Sequence, residues 1–438
     1  MNSSKMKRAF WILGAAFVIV GSFGWWDRLT TGHQNANYGS IIPWGLWVAA
    51  YIFFIGVSAG SFLISSLVYV FGMKKFEPVG RLALFTSLVT LGCALLAIWV
   101  DLGHMARFWH VYATPNFQSP MAWMIWLYTA YFLLLGVETW YLLRRDMVVA
   151  GQGSGGKAPV YRFLTFGTHK VSDESSRRDR KIVKVLAAIG IPVAIMFHAG
   201  VGTLFAVVAA RPAWNSGLFP ILFLLSALVS GGALLMLVSA VFQDGLKRYR
   251  ETIVVLGQLV LAMLLLDVLF QISDILIAGY GAVPAHVAAL KLMVAGPYWW
   301  VFWVWQIAIG TLIPIIILAS RLRRRAGWVA AAAGLIVLGF IGVRLNIVIP
   351  SLSVGEIPGL ETAVTSPRIS TQYFPSLMEW LVTMSVVGLG MLLFGLGEHF
   401  LPKDTADTAG VADPPTPPVL AQPLVGATTT TKDNHVHV

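Results

Sequence analysis

Ionisable side chains lie inside several long hydrophobic runs of this sequence, where such groups are uncommon. Asp267, Gln271 and Asp274 lie in the run 252–279 at intervals of four and three residues, so on a helix they form one polar face. A charged group inside a bilayer costs several kcal/mol and usually marks a functional site. Because a carboxyl group can take up and release a proton, this stripe predicts a proton path with Asp267 as its relay.

Arg344 and Glu379 extend the predicted proton path to two further runs. Counting about 1.5 Å per helical residue places Asp274, Arg344 and Glu379 within about 10 Å of the same membrane boundary. Opposite charges at one depth predict a salt bridge in which Arg344 holds Asp274 ionised and Glu379 is the third member. The alternative is that this salt bridge only joins the three helices and takes no part in proton movement.

A second group of polar residues converges in the first half of the sequence. His198 lies deep in a hydrophobic run, and Tyr51, Asp101 and His104 lie at a similar depth or nearer one end of their runs. Glycines spaced four apart in the run 44–71 leave room for a flat molecule. A quinone needs an apolar slot, a donor for its carbonyl oxygen and a group that takes its protons. The four residues therefore predict a quinone site, whereas the alternative for a single buried histidine is a structural role.

The histidines and the cysteine limit the redox centres available to this protein. The nine histidines are His33, His104, His110, His169, His198, His286, His399, His435 and His437. A haem b usually needs two histidines on facing helices, and only His198 lies deep in the membrane. The single cysteine, Cys93, can neither hold an iron–sulfur cluster alone nor form an internal disulfide. We therefore expect no haem, no cluster and no protein-bound metal ion.

The composition is that of a polytopic membrane protein. Of the 438 residues, 57% are hydrophobic and 12% are charged, which is about half the charged fraction of a typical soluble domain. Ten hydrophobic runs predict membrane-spanning helices, at 9–26, 44–71, 80–100, 121–143, 183–210, 218–242, 252–279, 295–320, 326–349 and 376–400. We number these runs spans 1 to 10, and they predict an all-α fold.

Basic residues alternate between the links that join the spans. They are concentrated before span 1 and after spans 2, 4, 6 and 8, and they are isolated in the other links. Because Lys and Arg accumulate on the cytoplasmic side of a membrane, both termini are predicted to be cytoplasmic. The net charge of +11 and the pI near 9.8 then reflect membrane topology rather than binding to nucleic acid.

A weak internal repeat divides the spans into two sets. The segment SAGS at 58–61 in span 2 is matched by SGGA at 230–233 in span 6, and each precedes an apolar stretch that contains further serine. Both spans run in the same predicted direction. The repeat therefore predicts two parallel four-helix units, spans 2–5 and spans 6–9, with spans 1 and 10 peripheral to them.

These units define the expected domain boundaries. The membrane domain is expected to cover residues 1–402, with the first four-helix unit over 43–210 and the second over 218–349. Residues 403–438 contain several prolines and a threonine run. This composition predicts a disordered cytoplasmic tail.

Seven short motifs follow one another along the sequence. In the first half they are GVSAG at 56–60, DLGHMARFWH at 101–110, SPMAW at 119–123, HAG at 198–200 and RPAWNS at 211–216. In the second half they are GPYWWVFW at 296–303 and YFPSLMEW at 373–380. Together they resemble the polysulfide reductase membrane-subunit (NrfD/PsrC) family, and the second-half motifs are similar to its ten-span branch, which includes HybB and DsrP.

The resemblance implies a quinone site in the first four-helix unit, toward the outer face. It also implies electron exchange with an iron–sulfur, ferredoxin-like partner subunit, for which residues 101–120 and 211–216 are the expected docking surfaces. Tyr51 falls where some family members have a quinone-contacting histidine, Val48 where they have an asparagine, and His198 near their tyrosine. Tyrosine and histidine can both donate to a carbonyl oxygen, so the chemistry survives these exchanges.

The expected function is that of an integral membrane subunit of a respiratory oxidoreductase complex, in the cytoplasmic membrane of a bacterium or archaeon. It would exchange electrons between menaquinone or ubiquinone and the iron–sulfur partner, with proton translocation along the predicted path. A secondary transporter is the alternative from another class, since repeats and charges at the membrane midplane are also typical of transporters. A purely structural anchor is the third. The need for a partner subunit separates the oxidoreductase subunit from the transporter, because a transporter works alone.

Overall fold

A computed structural model shows the protein as a bundle of long helices. The structure describes residues 3–153, 156–168, 172–242, 246, 249–355, 357, 359 and 369–400. The predicted tail, residues 403–438, lies outside the described residues.

Ten helices match the ten predicted spans one to one. They are Ser3–Thr31, Leu46–Tyr69, Glu77–Asp101, Pro120–Gln152, Asp173–Ala206, Phe219–Val241, Arg250–Gly281, Val301–Ala319, Ala326–Leu352 and Leu377–Phe400. Each is long and apolar enough to cross a membrane. A helix suits such a segment because it satisfies its own backbone polar groups, for which hydrocarbon offers no partner. The predicted all-α fold with ten spans is confirmed, and no strand occurs among the described residues.

Shorter helical elements connect the spans. Within the described ranges they are Lys74–Phe76, Met105–Arg107, His110–Ala113, Ala158–Leu164, Pro284–Val294 and Arg321–Arg324. The hydropathy pattern does not predict the helix Pro284–Val294, which has 11 residues and is too short to cross a bilayer. It lies between spans 7 and 8.

Span 8 begins as a π-helix rather than an α-helix. The residues Val301–Leu312 form this wider helix, so the predicted start at residue 295 is wrong. The backbone of Gly310 lies close to that of Gly339 in span 9, because a Cβ on Gly339 would overlap the Cα of Gly310. Widened turns of this kind occur often at functional sites. Here Gln306 lies within the π-helix and forms hydrogen bonds to spans 7 and 9.

Spans 2 and 6 cross at the two repeat segments. A Cβ on Gly60 would overlap the carbonyl oxygen of Ala227, and one on Gly231 would lie 2.5 Å from the backbone nitrogen of Ser61. The hydroxyl of Ser61 donates to the carbonyl oxygen of Gly231 at 3.4 Å. Only glycine permits backbones to approach this closely. The small residues of span 2 thus pack against another helix, while the division into two four-helix units stays a prediction.

Spans 1 and 10 pack against each other through another contact between small residues. A Cβ on Gly21 would overlap the Cβ of Ser385. Span 10 also packs against span 3, where the thiol of Cys93 lies 3.8 Å from the carbonyl oxygen of Val386. The single cysteine of the sequence is therefore buried within helix packing.

Candidate functional site

The four residues predicted to form a quinone site have different surroundings. Tyr51 is buried, and its hydroxyl is hydrogen-bonded to the hydroxyl of Tyr128 in span 4. His198 is fully buried, and its Nε2 donates to the carbonyl oxygen of Phe223 in span 6 at 2.8 Å. The other ring nitrogen, Nδ1, has no hydrogen-bond partner within the described ranges. These two residues therefore lie in the interior, as expected, but bond to different helices.

Asp101 belongs to a cluster of acidic and phenolic groups at the end of span 3. It interacts electrostatically with Tyr38 and Glu379. Glu379 accepts hydrogen bonds from the hydroxyl of Tyr373 and from two backbone N–H groups at 2.9 and 3.0 Å. Burial, together with the neighbouring negative charges, raises the pKa of Tyr38 well above its ordinary value. His104 lies on the following loop and is exposed.

Arg344 does not form the predicted salt bridge with Asp274 and Glu379. Its guanidinium group donates to the hydroxyl of Ser226 in span 6. The carboxyl group with which it interacts electrostatically is that of Asp267. Glu379 is bonded within the cluster at the end of span 3. The prediction was wrong because equal depth along three helices does not decide which helix faces meet.

Gly56 of span 2 leaves the space in which Arg344 and His198 approach each other. A Cβ at Gly56 would lie 3.1 Å from Nη2 of Arg344 and 3.4 Å from Cε1 of His198. Both side chains also lie beside Phe223, with the guanidinium 5.1 Å from the ring centre and the imidazole centre 6.0 Å from it. The structure thus joins one residue of the predicted quinone site to one residue of the predicted proton path.

A series of side-chain hydrogen bonds, which we call the amide relay, links spans 7, 8 and 9. Gln271 Nε2 donates to Asp267 Oδ2 at 2.5 Å, and Gln306 Nε2 donates to Gln271 Oε1 at 2.8 Å. Asn346 Nδ2 donates to Gln306 Oε1 at 2.7 Å. The first bond follows from the spacing of four on one helix face. The other two depend on the position of Gln306 in span 8, which places its amide between the neighbouring helices.

A cavity of about 130 Å³ opens beside the amide relay, and we call it the second-half cavity. Its polar lining comprises Asp267, Gln271, Asp274, His286, Gln306, Arg344 and Asn346, with Ser226 and Ser351. Its aromatic lining comprises Trp214, Phe219, Phe223 and Phe302. Asp267 and Arg344 are each only 1% exposed. Three buried atoms of these residues have no hydrogen-bond partner among the described residues, namely Asp267 Oδ1, Asp274 Oδ1 and Arg344 Nε.

His286 reaches the second-half cavity from the short helix Pro284–Val294. Burial lowers its pKa below the ordinary value of 6.5, and the nearby carboxyl group of Asp274 offsets part of this effect. At neutral pH the imidazole is therefore mainly uncharged, with one nitrogen that donates and one that accepts. The titratable group that interacts electrostatically with Asp274 is thus His286 rather than Arg344.

A second cavity, of about 450 Å³, shares two lining residues with the first. Both are lined by Asn346 and Pro350. The second cavity is walled mainly by aromatic and proline residues, which are Pro297, Tyr298, Trp300, Trp305, Tyr373, Phe374, Pro375 and Trp380. We call it the aromatic cavity. The aromatic cavity extends to the link that precedes span 10.

Three residues of the interior were missed by the sequence reasoning. Gln306 and Glu138 are polar side chains inside hydrophobic runs, the same signal that identified Gln271, so both were detectable. Glu138 of span 4 is fully buried, and neither carboxyl oxygen has a hydrogen-bond partner within the described ranges. Tyr128 could not have been singled out, because tyrosines are common in these spans and its partner lies 77 residues away in sequence.

The two expected docking surfaces differ in exposure. On the segment 101–120, the side chains of Phe108, Trp109 and Phe117 are about half exposed, at 53%, 52% and 48%. In the segment 211–216, Trp214 is buried, and its indole donates to a backbone carbonyl of span 9 at 2.7 Å. The second segment is therefore mainly part of the helix packing, and the first is the more accessible surface.

These features define a ten-span helical membrane protein with a buried polar cavity between its spans. The chain belongs to the polysulphide reductase NrfD family, whose family model matches residues 33–355. The resemblance inferred from the short motifs is confirmed.

Relatives in several organisms align with most of this protein. A selenate reductase subunit of Mesobacillus selenatarsenatis is 36% identical over 424 residues, which is 93% of this chain and 98% of that protein. The Hdr-like menaquinol oxidoreductase integral membrane subunit of Archaeoglobus fulgidus is 27% identical over 363 residues, 81% of this chain and 84% of that protein. The protein NrfD of Escherichia coli is 25% identical over 328 residues, 72% of this chain and 96% of that protein.

Proposed function

We propose that this protein is the membrane subunit of a quinone-linked reductase complex. It exchanges electrons between a quinone, menaquinone or ubiquinone, and an iron–sulfur partner subunit. The observation that carries the proposal is the alignment of nearly the whole sequence with a selenate reductase subunit, and of most of it with a menaquinol oxidoreductase membrane subunit. The buried carboxyl, amide and guanidinium groups between spans 6 and 9 support it, because quinone chemistry needs both hydrogen-bond donors and proton acceptors.

Proton movement accompanies this chemistry. Oxidation of a quinol releases two electrons and two protons, and the electrons leave to the partner while the protons must be taken up by the protein or by water. We propose that Asp267 is the relay, since it is buried and one of its oxygens is unpaired among the described residues. Gln271 and Gln306 do not carry protons themselves, because an amide neither gains nor loses one at neutral pH. They orient Asp267 and can hold water beside it.

The exposed aromatic side chains of the segment 101–120 are the proposed contact with the partner subunit. Phe108, Trp109 and Phe117 lie close together in sequence and expose large apolar surfaces. Aromatic residues are enriched at protein–protein interfaces, and they are costly to leave in water. We propose that this loop is covered by the iron–sulfur partner.

The complex purified through a tag on this protein tests the proposed function. Added decyl-ubiquinol or menadiol should reduce the iron–sulfur centres of the copurifying subunits, measured by electron paramagnetic resonance. The same subunits prepared without this protein are the control and should stay oxidised. Failure to copurify an iron–sulfur protein, together with solute uptake by the protein alone in proteoliposomes, would favour a transporter.

The proton relay is tested in proteoliposomes of the whole complex with a pH-sensitive dye. Asp267→Asn keeps the shape of the side chain and removes its exchangeable proton, so fewer protons should move per electron transferred. The variant should still assemble, because the amide can accept a hydrogen bond from Gln271. A proton yield equal to that of the wild type would mean that Asp267 transfers no protons and that the amide relay only holds the helices together.

The proposed orientation places both termini in the cytoplasm of a bacterial or archaeal cell. Cys93 is buried, so the reactivity of the native protein toward an impermeant thiol reagent should be low. Gln118→Cys, on the link after span 3, should react with reagent added outside intact cells. Glu174→Cys, at the start of span 5, should react only after the cells are opened. The opposite pattern would reverse the topology.

A further inference from the structure

The link between spans 4 and 5 contains a short helix, Ala158–Leu164, that exposes large apolar side chains. We propose that the segment 158–168 lies in the membrane interface and binds anionic lipid headgroups, on the side of the membrane that carries the basic links. We call it the interfacial segment. This inference adds a lipid site to the protein and does not depend on the quinone chemistry proposed above.

The exposed face of the interfacial segment is apolar. Phe163 is 77% exposed and Phe166 is 78% exposed. Val160 and Leu164 are exposed as well, and residues 160, 163 and 164 share one face of the helix, since they lie three and four residues apart. Removal of such side chains from water is favourable. A helix with one apolar face and nearby basic residues is typical of segments that lie in the plane of a membrane interface.

The opposite face of the short helix packs on the protein. Ala158 and Tyr161 are buried. The hydroxyl of Tyr161 donates to the carbonyl oxygen of Phe400, at the end of span 10, at 2.9 Å. Arg162 Nε donates to the carbonyl oxygen of Gly151, near the end of span 4, at 2.9 Å. These bonds fix the orientation of the helix, so its apolar face points away from the helix bundle.

The depth of the interfacial segment follows from its contacts with Trp140 of span 4. Leu133, Val137 and Trp140 lie at intervals of four and three on one face of this span, and the first two are exposed. An exposed apolar face on a membrane span contacts lipid, and tryptophan is enriched at the membrane boundary. The indole of Trp140 donates to the carbonyl oxygen of Leu164 at 2.9 Å, and its ring centre lies 6.0 Å from that of Phe166. The segment therefore returns to the boundary of the hydrocarbon region.

The charges around the interfacial segment favour an anionic surface. Residues 144–184 contain ten Lys or Arg and four Asp or Glu. Two of these acids already form salt bridges, Asp146 with Arg81 at 2.6 Å and Asp179 with Arg144 at 2.8 Å. The exposed basic residues in the described part of this stretch are Arg145, Arg162, Arg177, Arg178, Arg180, Lys181 and Lys184.

The salt bridge between Arg144 and Asp179 also joins the ends of spans 4 and 5. The basic first turns of span 5 therefore lie beside the end of span 4, on which the interfacial segment packs. Basic residues close to a membrane surface are attracted to anionic lipids. Apolar side chains at the membrane boundary, together with these charges, fit the acyl chains and the phosphate of one lipid layer.

Fluorescence quenching by lipids tests the position of the segment in the full-length protein, reconstituted in phosphatidylcholine nanodiscs. Cys93 is buried, so a thiol-reactive nitrobenzoxadiazole label is directed to an introduced cysteine. Phe163→Cys places the label on the apolar face. Glu174→Cys is the control, because this exposed residue lies about 13 Å before the hydrophobic run that starts at 183.

Phosphatidylcholine with a doxyl group on its acyl chain should quench the label at position 163 about threefold more than the label at position 174, because an interfacial helix buries its apolar face at the acyl boundary. Equal quenching at the two positions would overturn the inference. A photocrosslink in cells from p-benzoylphenylalanine in place of Phe163 to a second protein would also overturn it, since a protein would then cover this face.

A second comparison tests the charge of the headgroup. The readout is the ratio of quenching at position 163 by doxyl-labelled phosphatidylglycerol to quenching by doxyl-labelled phosphatidylcholine, at equal mole fractions. This ratio corrects for any change in the depth of the label. It should exceed one, and Arg162→Gln should lower it by up to about fivefold, the enrichment that one basic residue near an anionic surface provides.

Arg323→Gln is the matched control, because Arg323 is an exposed basic residue on the link after span 8. This variant should keep the ratio of the protein that carries only Phe163→Cys. A ratio of one before any arginine is replaced would overturn the anionic lipid site. A ratio that falls equally in both arginine variants would likewise contradict it, since the charge would then act from anywhere on this side of the protein.

Discussion

Two buried polar regions of this protein differ in how fully their side chains are hydrogen-bonded. In the first half, hydroxyl groups pair with one another across spans 2, 3 and 4. Tyr51 bonds to Tyr128, and Ser87 lies 3.0 Å from the hydroxyl of Ser58 and 3.1 Å from that of Tyr131. We call these five residues the hydroxyl network. It is enclosed by packed side chains, with Tyr131 fully buried.

The second-half cavity has the opposite character. Its charged groups adjoin the amide relay, but three buried polar atoms of its lining residues have no partner among the described residues. A satisfied buried network stabilises and defines a core, whereas a partly satisfied one lowers stability. The comparison teaches that equally buried polar residues differ in how fully they are hydrogen-bonded and in whether they line a cavity. Glu138 of the first half also lacks a partner among the described residues, but neither of the two cavities described above includes it.

The contact between spans 2 and 6 lies between these regions, and breaking it should have the largest effect. Gly60→Ala would place a methyl group on top of a backbone oxygen of span 6, an overlap that no side-chain movement can relieve. We expect little folded protein, measured by fluorescence-detected size exclusion in detergent. Gly92→Ala in span 3 is the control, since its new Cβ would meet no atom within 4 Å. Equal amounts of folded protein from the two variants would show that spans 2 and 6 can move apart to make room for the methyl group.

Removal of Arg344 should have the next largest effect. Arg344→Met leaves Asp267 buried beside no positive charge, at an expected cost of about 3–5 kcal/mol in the free energy of unfolding. Thermal unfolding in detergent measures it, with Arg323→Met at an exposed position as the control. Adding Asp267→Asn should recover part of the loss, because the uncompensated charge is then removed. Additive losses in the double variant would mean that the two groups do not interact.

Loss of one hydroxyl from the first half should have a smaller effect on stability. Tyr51→Phe leaves the hydroxyl of Tyr128 buried and unpaired, which costs about 1–3 kcal/mol. Tyr280→Phe is the matched control, since Tyr280 is 88% exposed. Thermal unfolding in detergent measures the loss. Equal stability of Tyr51→Phe and Tyr280→Phe would show that the bond between Tyr51 and Tyr128 does not stabilise the fold.

The smallest expected effect is a pH dependence at His286. Because burial lowers the pKa of this imidazole below 6.5, the folded protein binds its proton less readily than the unfolded protein does. This difference in pKa stabilises the folded protein above pH 6.5, and the stabilisation is lost as the pH falls through the lowered pKa. Wild type should therefore lose slightly more thermal stability than His286→Asn between pH 7.5 and pH 5.5. Identical losses would show that the histidine titrates freely in water.

Much of the fold could be predicted from the sequence. The ten spans follow from hydropathy, because a segment in hydrocarbon must satisfy its own backbone and a helix does so locally. The buried polar residues were detectable one by one for the same reason, since each is costly in lipid. The helix Pro284–Val294 and the π-helical start of span 8 were not predicted, because the first is too short to form a membrane-spanning run and hydropathy does not distinguish a π-helix from an α-helix.

The sequence by itself determined which segments cross the membrane and which of them carry polar groups, because both properties depend on local hydrophobicity. Only the tertiary structure decided which of those groups meet. Arg344 was expected beside Asp274, since depth along a helix can be counted at about 1.5 Å per residue. It lies instead near His198 and Asp267. The rotation of a helix and its neighbours are set by packing, here by close contacts such as Gly60 with Ala227 and Gly310 with Gly339, between residues that are distant in sequence.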